Sequence, residues 1–257
     1  MKIGASDYDG TLFRGQTIAA EDVAGVRAWR AAGHKFGVVS GRDYGMLSPQ
    51  LKFYGIASDY AVCNNGSIIL NAAGAPLWQG SIPLAVLAEI AEEPCLTNSF
   101  HFAFSAADKT YLCHEGEGSW IMREAKEWDF PIVKIAVTDI GSLPQIQQFC
   151  LGYHEAKEAA ATSDILNAKY GATVHAYPNG CSVDITPANV SKSQGIKKLL
   201  ELMRWEDAEV FAIGDETNDL PMLDAFGGFT VATARDAIKA KARAVYQSVG
   251  DMLINNI

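Results

Sequence analysis

Short hydrophobic runs alternate with helical patterns in the first part of the chain. The first run is Lys2 to Ser6, and behind it apolar residues recur every third position, as one face of a helix requires: Ala20, Val23, Val26 and Trp29. Two more runs, Phe36 to Val39 and Tyr60 to Cys63, each end in small or polar residues. This order of strand, loop and helix predicts a parallel sheet covered by helices on both faces.

The same pattern returns near the end of the chain. A helical face from Ile196 to Met203 precedes the apolar run Glu209 to Ile213, and a further run, Phe229 to Ala232, is interpreted as the last strand. In a sheet of this kind ligands collect beyond the carboxyl ends of the strands. The loops that follow the apolar runs are therefore expected to meet in one crevice.

The middle of the chain has a different pattern of apolar and aromatic residues, which predicts a separate α+β insertion. Aromatic-rich extended pieces alternate there with helical stretches: Phe100 to Ser105, Tyr111 to His114, Ile132 to Thr138, Thr173 to Tyr177 and Ser182 to Ile185. Turn-prone residues such as Asn179-Gly180 favour antiparallel hairpins. We therefore predict an α/β core formed by residues 1–82 and 188–257, with residues 83–187 inserted as a second domain.

Charge and composition narrow the function. The chain has 257 residues, 49% of them hydrophobic, and a formal net charge of -9. An acidic chain of this kind argues against a surface that neutralises nucleic-acid phosphates or anionic lipid, so an anionic substrate needs a local device such as a metal. An acidic residue, Asp7, comes too early for a signal-peptide apolar region, and we expect a cytoplasmic protein.

Carboxylates stand where two of the predicted strands end. Asp7 and Asp9 lie two residues apart, so both side chains can address the same side of an extended chain, and Asp215 follows a different strand. Carboxylates this close repel one another and call for a cation or an acid/base role. Mg²⁺ prefers such oxygen ligands. Taken singly, each of these loops is also compatible with an ordinary turn.

Four segments, in the right order, resemble the motifs of the haloacid dehalogenase-like hydrolase superfamily, and in particular its Cof-type, sugar-phosphatase-like subgroup with a type IIB α/β cap. These segments are Asp7-Tyr8-Asp9-Gly10-Thr11-Leu12, Ser40, Lys192, and Gly214-Asp215 with Asn218-Asp219. The resemblance implies a Rossmann-like core, with the insertion as the cap. Ser6, Tyr8 and the segment Val231 to Ala234 depart from the commoner family pattern.

The resemblance also implies roles for individual residues. Asp7 is the expected nucleophile and Asp9 the expected general acid and base, with Ser40 and Lys192 as further catalytic groups. Mg²⁺ is the expected cofactor, held by Asp7, the Asp9 backbone carbonyl and Asp215, with Asp219 completing the site. The expected substrate-binding residues are Thr11, Ser40, Gly41, Arg42, Lys192 and Asn218. Arg42 and Asn65 are weaker candidates, for contact with either the substrate or the cap.

The function that follows is Mg²⁺-dependent hydrolysis of a small phosphomonoester through a phospho-aspartate on Asp7. Sugar phosphates are the first choice of substrate, and phosphorylated cofactors such as pyridoxal phosphate or flavin mononucleotide are the second. Phosphomutases share the retained acid at position 9, so a phosphomutase stays open as an alternative. A non-catalytic phosphometabolite sensor could keep the same fold. A pure interaction protein would have no need of carboxylates crowded at strand ends.

Overall fold

The computed structural model describes residues 1–117 and 119–257. The chain divides into two compact units. The first, here called the core unit, consists of Met1–Ser40, Gln50–Trp78 and Ser191–Ile257. The second, here called the insertion unit, consists of Gly41–Pro49 and Gln79–Val190.

The strands and helices follow one another in α/β fashion over much of the chain. The strands are β1 (Lys2–Ser6), β2 (Lys35–Val39), β3 (Tyr60–Cys63), β4 (Ile68–Asn71), β5 (Pro76–Gln79), β6 (His101–Ser105), β7 (Thr110–Glu115), β8 (Ile132–Lys134), β9 (Gln148–Gly152), β10 (Val174–Asn179), β11 (Ser182–Pro187), β12 (Glu209–Ile213), β13 (Thr230–Val231) and β14 (Val245–Tyr246). The helices are α1 (Ala20–Ala31), α2 (Tyr44–Tyr54), α3 (Leu84–Ala91), α4 (Ile121–Trp128), α5 (Ala156–Tyr170), α6 (Lys192–Met203), α7 (Leu220–Phe226), α8 (Asp236–Lys239) and α9 (Val249–Ile254). Within the described residues, no helix is both long and apolar enough to cross a bilayer.

The main sheet of the core unit has the strand order β12-β1-β2-β3-β4-β5. Strands β12, β1, β2 and β3 run parallel, and their inner residues are buried almost continuously, as expected for a sheet covered on both faces. The predicted parallel sheet and α/β class are confirmed. Because the strands are parallel, the residues that follow β1, β2, β3 and β12 lie at one edge of the sheet.

The outer parts of the core unit differ from the sequence prediction. Strand β4 runs antiparallel to β3, and neither it nor β5 was predicted. The run Phe229 to Ala232 is wrong as the last strand, because β14 follows it. Phe229 forms a single bridge to Ile213, and only Thr230 and Val231 continue into a small parallel pairing with β14.

The insertion unit contains a second sheet with the order β10-β11-β9-β6-β7-β8. The two predicted hairpins, β6 with β7 and β10 with β11, are antiparallel as expected, and Gly180 in the second turn has the positive φ of 56° that glycine allows. An apolar cluster around Phe104, Phe149, Leu151 and Leu166 forms the larger core of this unit. The predicted strand Ile132 to Thr138 ends at Lys134 instead, and a 3₁₀ turn covers Val137–Ser142.

Candidate active site

Asp7 is held at the carboxyl end of β1 by the sheet itself. Its backbone N–H donates to the carbonyl oxygen of Ile213, 2.9 Å away, so the strand pairing with β12 continues into Asp7. The side chain is only 4% exposed. Beyond it the chain turns sharply, with the amides of Leu12 and Phe13 both donating to the carbonyl oxygen of Tyr8. Asp7 therefore lies buried at the start of a tight, internally bonded loop.

Gly10 allows this loop to approach the loop after β12. Its φ is 84°, and a Cβ atom built on it would run into the carboxylate of Asp215. Thr11, one residue on, is fully buried and donates its hydroxyl hydrogen to Asp215 Oδ1 over 2.5 Å. Burial raises the pKa of Asp215, and the negative charge of Asp219 adds to the increase, while the bond from Thr11 opposes it. The two loops are thus joined through Asp215.

Lys192 supplies the positive charge of the site. It is the first residue of α6, whose N-cap Ser191 accepts a bond from the Gln194 amide, and its side chain is only 2% exposed. The ammonium donates to Asp7 Oδ1 at 2.5 Å and to Asp219 Oδ1 at 2.6 Å. Burial lowers the pKa of Lys192, but the two carboxylates outweigh burial and hold its pKa above the ordinary value. Lys192 is therefore a charged residue in the site.

Asp219 organises the loop that carries Asp215. Its Oδ2 accepts the amides of Asp215 and Glu216, each at 3.0 Å, while its Oδ1 is bonded to Lys192. Gly214 passes so close that a Cβ atom there would meet the Asp219 carboxyl group. Both oxygens of Asp219 therefore already accept hydrogen bonds, and these bonds hold Lys192 and the backbone of the Asp215 loop in place.

Asp7, Asp215 and Asp219 form an acidic cluster in which one carboxylate oxygen from each lies within 4.8 Å of the others. Oδ2 of Asp7 is buried and has no hydrogen-bond partner among the described residues. Burial and the charge of Asp219 raise the pKa of Asp7 well above its usual value, although Lys192 works against the increase. One ammonium does not compensate three carboxylates. An oxygen-only donor set with an unsatisfied buried oxygen fits Mg²⁺.

Asp9 is exposed, and its side chain is not part of the acidic cluster. Its backbone forms a bridge with Phe13 that helps close the loop. The predicted contribution of its backbone carbonyl to a metal stays a prediction. Its acid and base role stays a prediction.

Ser40, Asn65 and Asn218 connect three of the strand ends. Ser40 is 1% exposed and donates its amide to Val62 at 2.8 Å, while its carbonyl oxygen accepts the Asn65 amide at 3.0 Å. Asn65 has a φ of 53°, a left-handed conformation that asparagine tolerates better than most residues. Its Oδ1 accepts a bond from Asn218 Nδ2 at 3.2 Å. Substrate contact by Ser40 and Asn218 stays a prediction.

Gly41 and Arg42 each contact another residue of the insertion unit. The Gly41 carbonyl oxygen accepts a bond from Gln148 Nε2 at 2.9 Å. The Arg42 guanidinium binds both carboxylate oxygens of Glu124 on α4. The charge of Arg42 is thus already matched by Glu124, and the substrate-binding role predicted for both residues stays a prediction.

Sequence reasoning missed Arg14 and Asp22. The Arg14 guanidinium donates to the carbonyl oxygen of Thr11 and to Oδ2 of Asp22, the latter at 2.6 Å. Asp22 lies on α1 and is fully buried. An acidic residue in the first turn of a helix is ordinarily explained by its favourable interaction with the helix dipole. An arginine in a loop is ordinarily explained as a solvated side chain. Only the fold reveals that they meet behind the Asp7 loop.

The core unit thus has a largely parallel sheet, with carboxylates from separate strand ends around one buried lysine. The sequence profile of haloacid dehalogenase-like hydrolases matches residues 5–252. The chain belongs to this family. The enzyme class that follows from the family and from its curated relatives is phosphoric monoester hydrolase.

Individual relatives cover nearly the whole chain. A pyridoxal phosphate phosphatase of Escherichia coli is 27% identical over 271 aligned residues, covering 100% of this chain and 96% of that protein. A haloacid dehalogenase-like hydrolase from B. subtilis has a similar structure, with a TM-score of 0.84, 19% identity and full coverage of both chains (100% each). A structure described as a subclass IIB sugar phosphatase has a TM-score of 0.76 at 19% identity and covers 97% of this chain and 94% of its own.

Proposed function

We propose that this protein is a Mg²⁺-dependent phosphatase that hydrolyses a small phosphomonoester through a phospho-aspartate on Asp7. The observation that carries the proposal is the unequal environment of the two Asp7 oxygens. Oδ1 is bonded to Lys192, whereas Oδ2 is buried without a hydrogen-bond partner among the described residues. A carboxylate held by one oxygen, with the other unbonded, is suited to nucleophilic attack.

The reaction we propose has two displacement steps. In the first, Asp7 Oδ2 attacks phosphorus, the bond from phosphorus to the ester oxygen breaks, and Asp9 gives a proton to the departing oxygen. In the second, Asp9 takes a proton from water, the water oxygen attacks phosphorus, and the bond to Asp7 breaks to release inorganic phosphate. Lys192 donates to Oδ1 and orients the carboxylate for the attack.

The metal expected at this site is Mg²⁺, with the Asp7 and Asp215 carboxylates and the Asp9 backbone carbonyl as its proposed ligands. When bound, Mg²⁺ supplies positive charge that lets an anionic nucleophile meet an anionic phosphoryl group. The acidic cluster supports this assignment. Asp219 would act by holding Lys192 and the backbone of the Asp215 loop in place.

For the substrate we propose a sugar phosphate first and pyridoxal phosphate second. A solved structure with the same fold is described as a sugar phosphatase, and a curated relative of full length is named as a pyridoxal phosphate phosphatase. Phosphate release from a panel of phosphomonoesters that includes both, measured at equal concentration, ranks them by kcat/KM. Preference for a different class of phosphate would contradict this choice.

Hydrolysis of an aryl phosphate tests the activity itself. The wild-type protein should release phosphate with Mg²⁺ and lose this activity with a chelator, while Asp7→Asn should be inactive in both conditions. Asp224→Asn, which changes an exposed aspartate on α7, is the matched control and should remain fully active. Binding of phosphate esters with no turnover would instead identify a sensor. Conversion of a sugar 1-phosphate to its 6-phosphate without phosphate release would identify a mutase.

A further inference from the structure

Arg14 lies in a turn directly behind the Asp7 loop. Its backbone is paired with Thr17 through hydrogen bonds of 2.9 and 3.2 Å, and the two residues between them, Gly15 and Gln16, have φ values of 58° and 65°. Positive φ at both central positions is the signature of a tight two-residue hairpin turn. The two backbone hydrogen bonds to Thr17 thus fix the position of the Arg14 backbone in this turn.

The guanidinium of Arg14 joins the active-site loop to a buried anchor. One of its nitrogens donates to the Thr11 carbonyl oxygen, and another forms the ion pair with Asp22. Asp22 has 0% exposure, and its second carboxylate oxygen accepts the Gly250 amide at 2.7 Å. Gly250 lies in the first turn of α9 and is packed so tightly on α1 that a Cβ atom there would meet the backbone of Glu21. Both carboxylate oxygens of Asp22 are therefore bonded, and Asp22 is buried where α1 packs against α9.

On its other side, Thr11 orients Asp215, a proposed metal ligand. The Thr11 hydroxyl donates to Asp215 Oδ1, while the Thr11 carbonyl accepts from Arg14. We infer that Arg14 is a positioning residue: it fixes Thr11 so that the Thr11 hydroxyl holds the Asp215 carboxylate in the orientation that binds the cation. This inference rests on the proposed metal site, and it adds a link from Asp215 through Thr11, Arg14 and Asp22 to α9.

Partners that orient a metal ligand change metal affinity by about 10- to 100-fold when they are removed. Arg14→Lys keeps a positive charge beside Asp22, but its single nitrogen cannot replace the two separate guanidinium nitrogens that bond Thr11 and Asp22. We expect Mg²⁺ to bind about tenfold more weakly to this variant, as measured by calorimetric titration. Its kcat at saturating Mg²⁺ should return close to the wild-type value, which a general structural defect would not allow.

A double substitution tests whether Arg14 acts through Thr11. Thr11→Val removes the hydroxyl while keeping the side-chain shape, and it should weaken Mg²⁺ binding about tenfold. Adding Arg14→Lys to Thr11→Val should then change the affinity by less than about twofold, because the link is already broken. Arg30→Lys is the matched control, since Arg30 forms a two-point ion pair with Asp59 at the other end of β2, and its Mg²⁺ affinity should equal that of the wild type.

Two results would overturn the inference while leaving the phosphatase proposal intact. One is wild-type Mg²⁺ affinity in Arg14→Lys. The other is an affinity loss in the double variant equal to the product of the two single losses. A wild-type protein that binds no divalent ion would overturn the metal site itself, and the inference with it. Thermal unfolding of each variant confirms that the titrated protein is folded.

Discussion

Two groups of charged side chains lie at opposite ends of the core sheet, and they are built in contrary ways. At the amino ends of β2 and β3, one carboxylate, Asp59, accepts bonds from Arg30, Lys35 and the Phe36 amide. At the carboxyl ends, three carboxylates share the single ammonium of Lys192. The first group has two cations for one carboxylate, and the second has one cation for three carboxylates.

The pKa values follow this difference. At Asp59, burial acts to raise the pKa, but the bonds from Arg30, the Phe36 amide and Lys35 bring it below the ordinary value. At Asp7 the pKa lies well above the ordinary value because burial and neighbouring carboxylates dominate. A satisfied cluster stabilises a fold, while an unsatisfied one persists where it serves a ligand or a reaction. The contrast supports the proposal that the strand ends near Asp7 are the functional edge.

Removing a lysine from each group should change kcat very differently, and this is the strongest contrast we expect between them. Lys192→Met should lower kcat by at least about 10²-fold, because the ammonium that orients Asp7 beside the transferring group is lost. Lys35→Met, which removes a cation from the Asp59 cluster, should keep kcat within about twofold of the wild type. Initial rates with a generic aryl phosphate measure both. Equal losses in the two variants would show that the two clusters do not differ in function.

The next effect separates them by stability. Asp59→Asn should lower the free energy of unfolding by about 1–3 kcal/mol, because its charge-assisted bonds weaken. Asp7→Asn, measured without divalent ions, should raise the free energy of unfolding by about 0.5–2 kcal/mol, since one of three crowded carboxylates is neutralised. Urea denaturation curves provide both values. A destabilised Asp7→Asn protein would mean that the site is not strained in the absence of the metal.

Asp43 carries a third carboxyl group, which is buried but belongs to neither cluster. Burial raises the pKa of Asp43 to about 6, although bonds from Thr110 and from the Met46 and Gly45 amides oppose the increase. The folded protein then binds more protons than the unfolded chain between about pH 4 and pH 6, so its stability falls as the pH rises through this window.

Asp43→Asn should remove that part of the pH dependence, which amounts to at most about 3 kcal/mol. The measurement is the free energy of unfolding at several pH values between about 4 and 7 in the wild type and the variant. A wild-type slope unchanged by the substitution would show that Asp43 does not titrate in this range. The activity of Asp43→Asn should stay near the wild-type level, since no bond of Asp43 reaches the acidic cluster.

The last prediction concerns the close approach of the Asp7 loop and the Asp215 loop. Gly10→Ala places a methyl group against the Asp215 carboxylate and a side chain at a φ of 84°. We expect a loss of about 1–3 kcal/mol in stability and weaker Mg²⁺ binding. Gly33→Ala is the matched control: Gly33 has the same φ of 84° but nothing within 4 Å of the added atom. Equal Mg²⁺ affinity in the two variants would contradict the role given to the Gly10 contact.

The parallel core could be predicted because its strands are buried runs bounded by polar loops. The same local signals indicated Asp7, Ser40 and Asp215, since each stands at the end of a strand, whereas Lys192 was predicted only from the family resemblance. Strands β4, β5 and β9 were not predicted. Strand β5 is mostly exposed, and β9 carries the continuous apolar pattern that does not separate strand from helix.

The partners of the charged residues could not be read from the sequence. Arg42 was expected to contact substrate or the cap, but the sequence did not indicate its partner, Glu124, 82 residues away. Arg14 and Asp22 are close in sequence, but the anchor of Asp22 on Gly250 is 228 residues distant. Side-chain type and spacing indicate which groups can carry charge. Tertiary packing decides which of those charges are already neutralised, and so which remain for chemistry.

The most direct test of the central claim is to trap the phosphorylated enzyme. Asp9→Asn lacks the base for the second step, while an aryl leaving group needs little help from an acid in the first, so phosphoenzyme should accumulate. Acid quenching followed by mass spectrometry should find one phosphoryl group on the peptide that contains Asp7, and none in Asp7→Asn/Asp9→Asn. A phosphoryl group on another residue, or turnover by Asp7→Asn at the wild-type rate, would contradict the account.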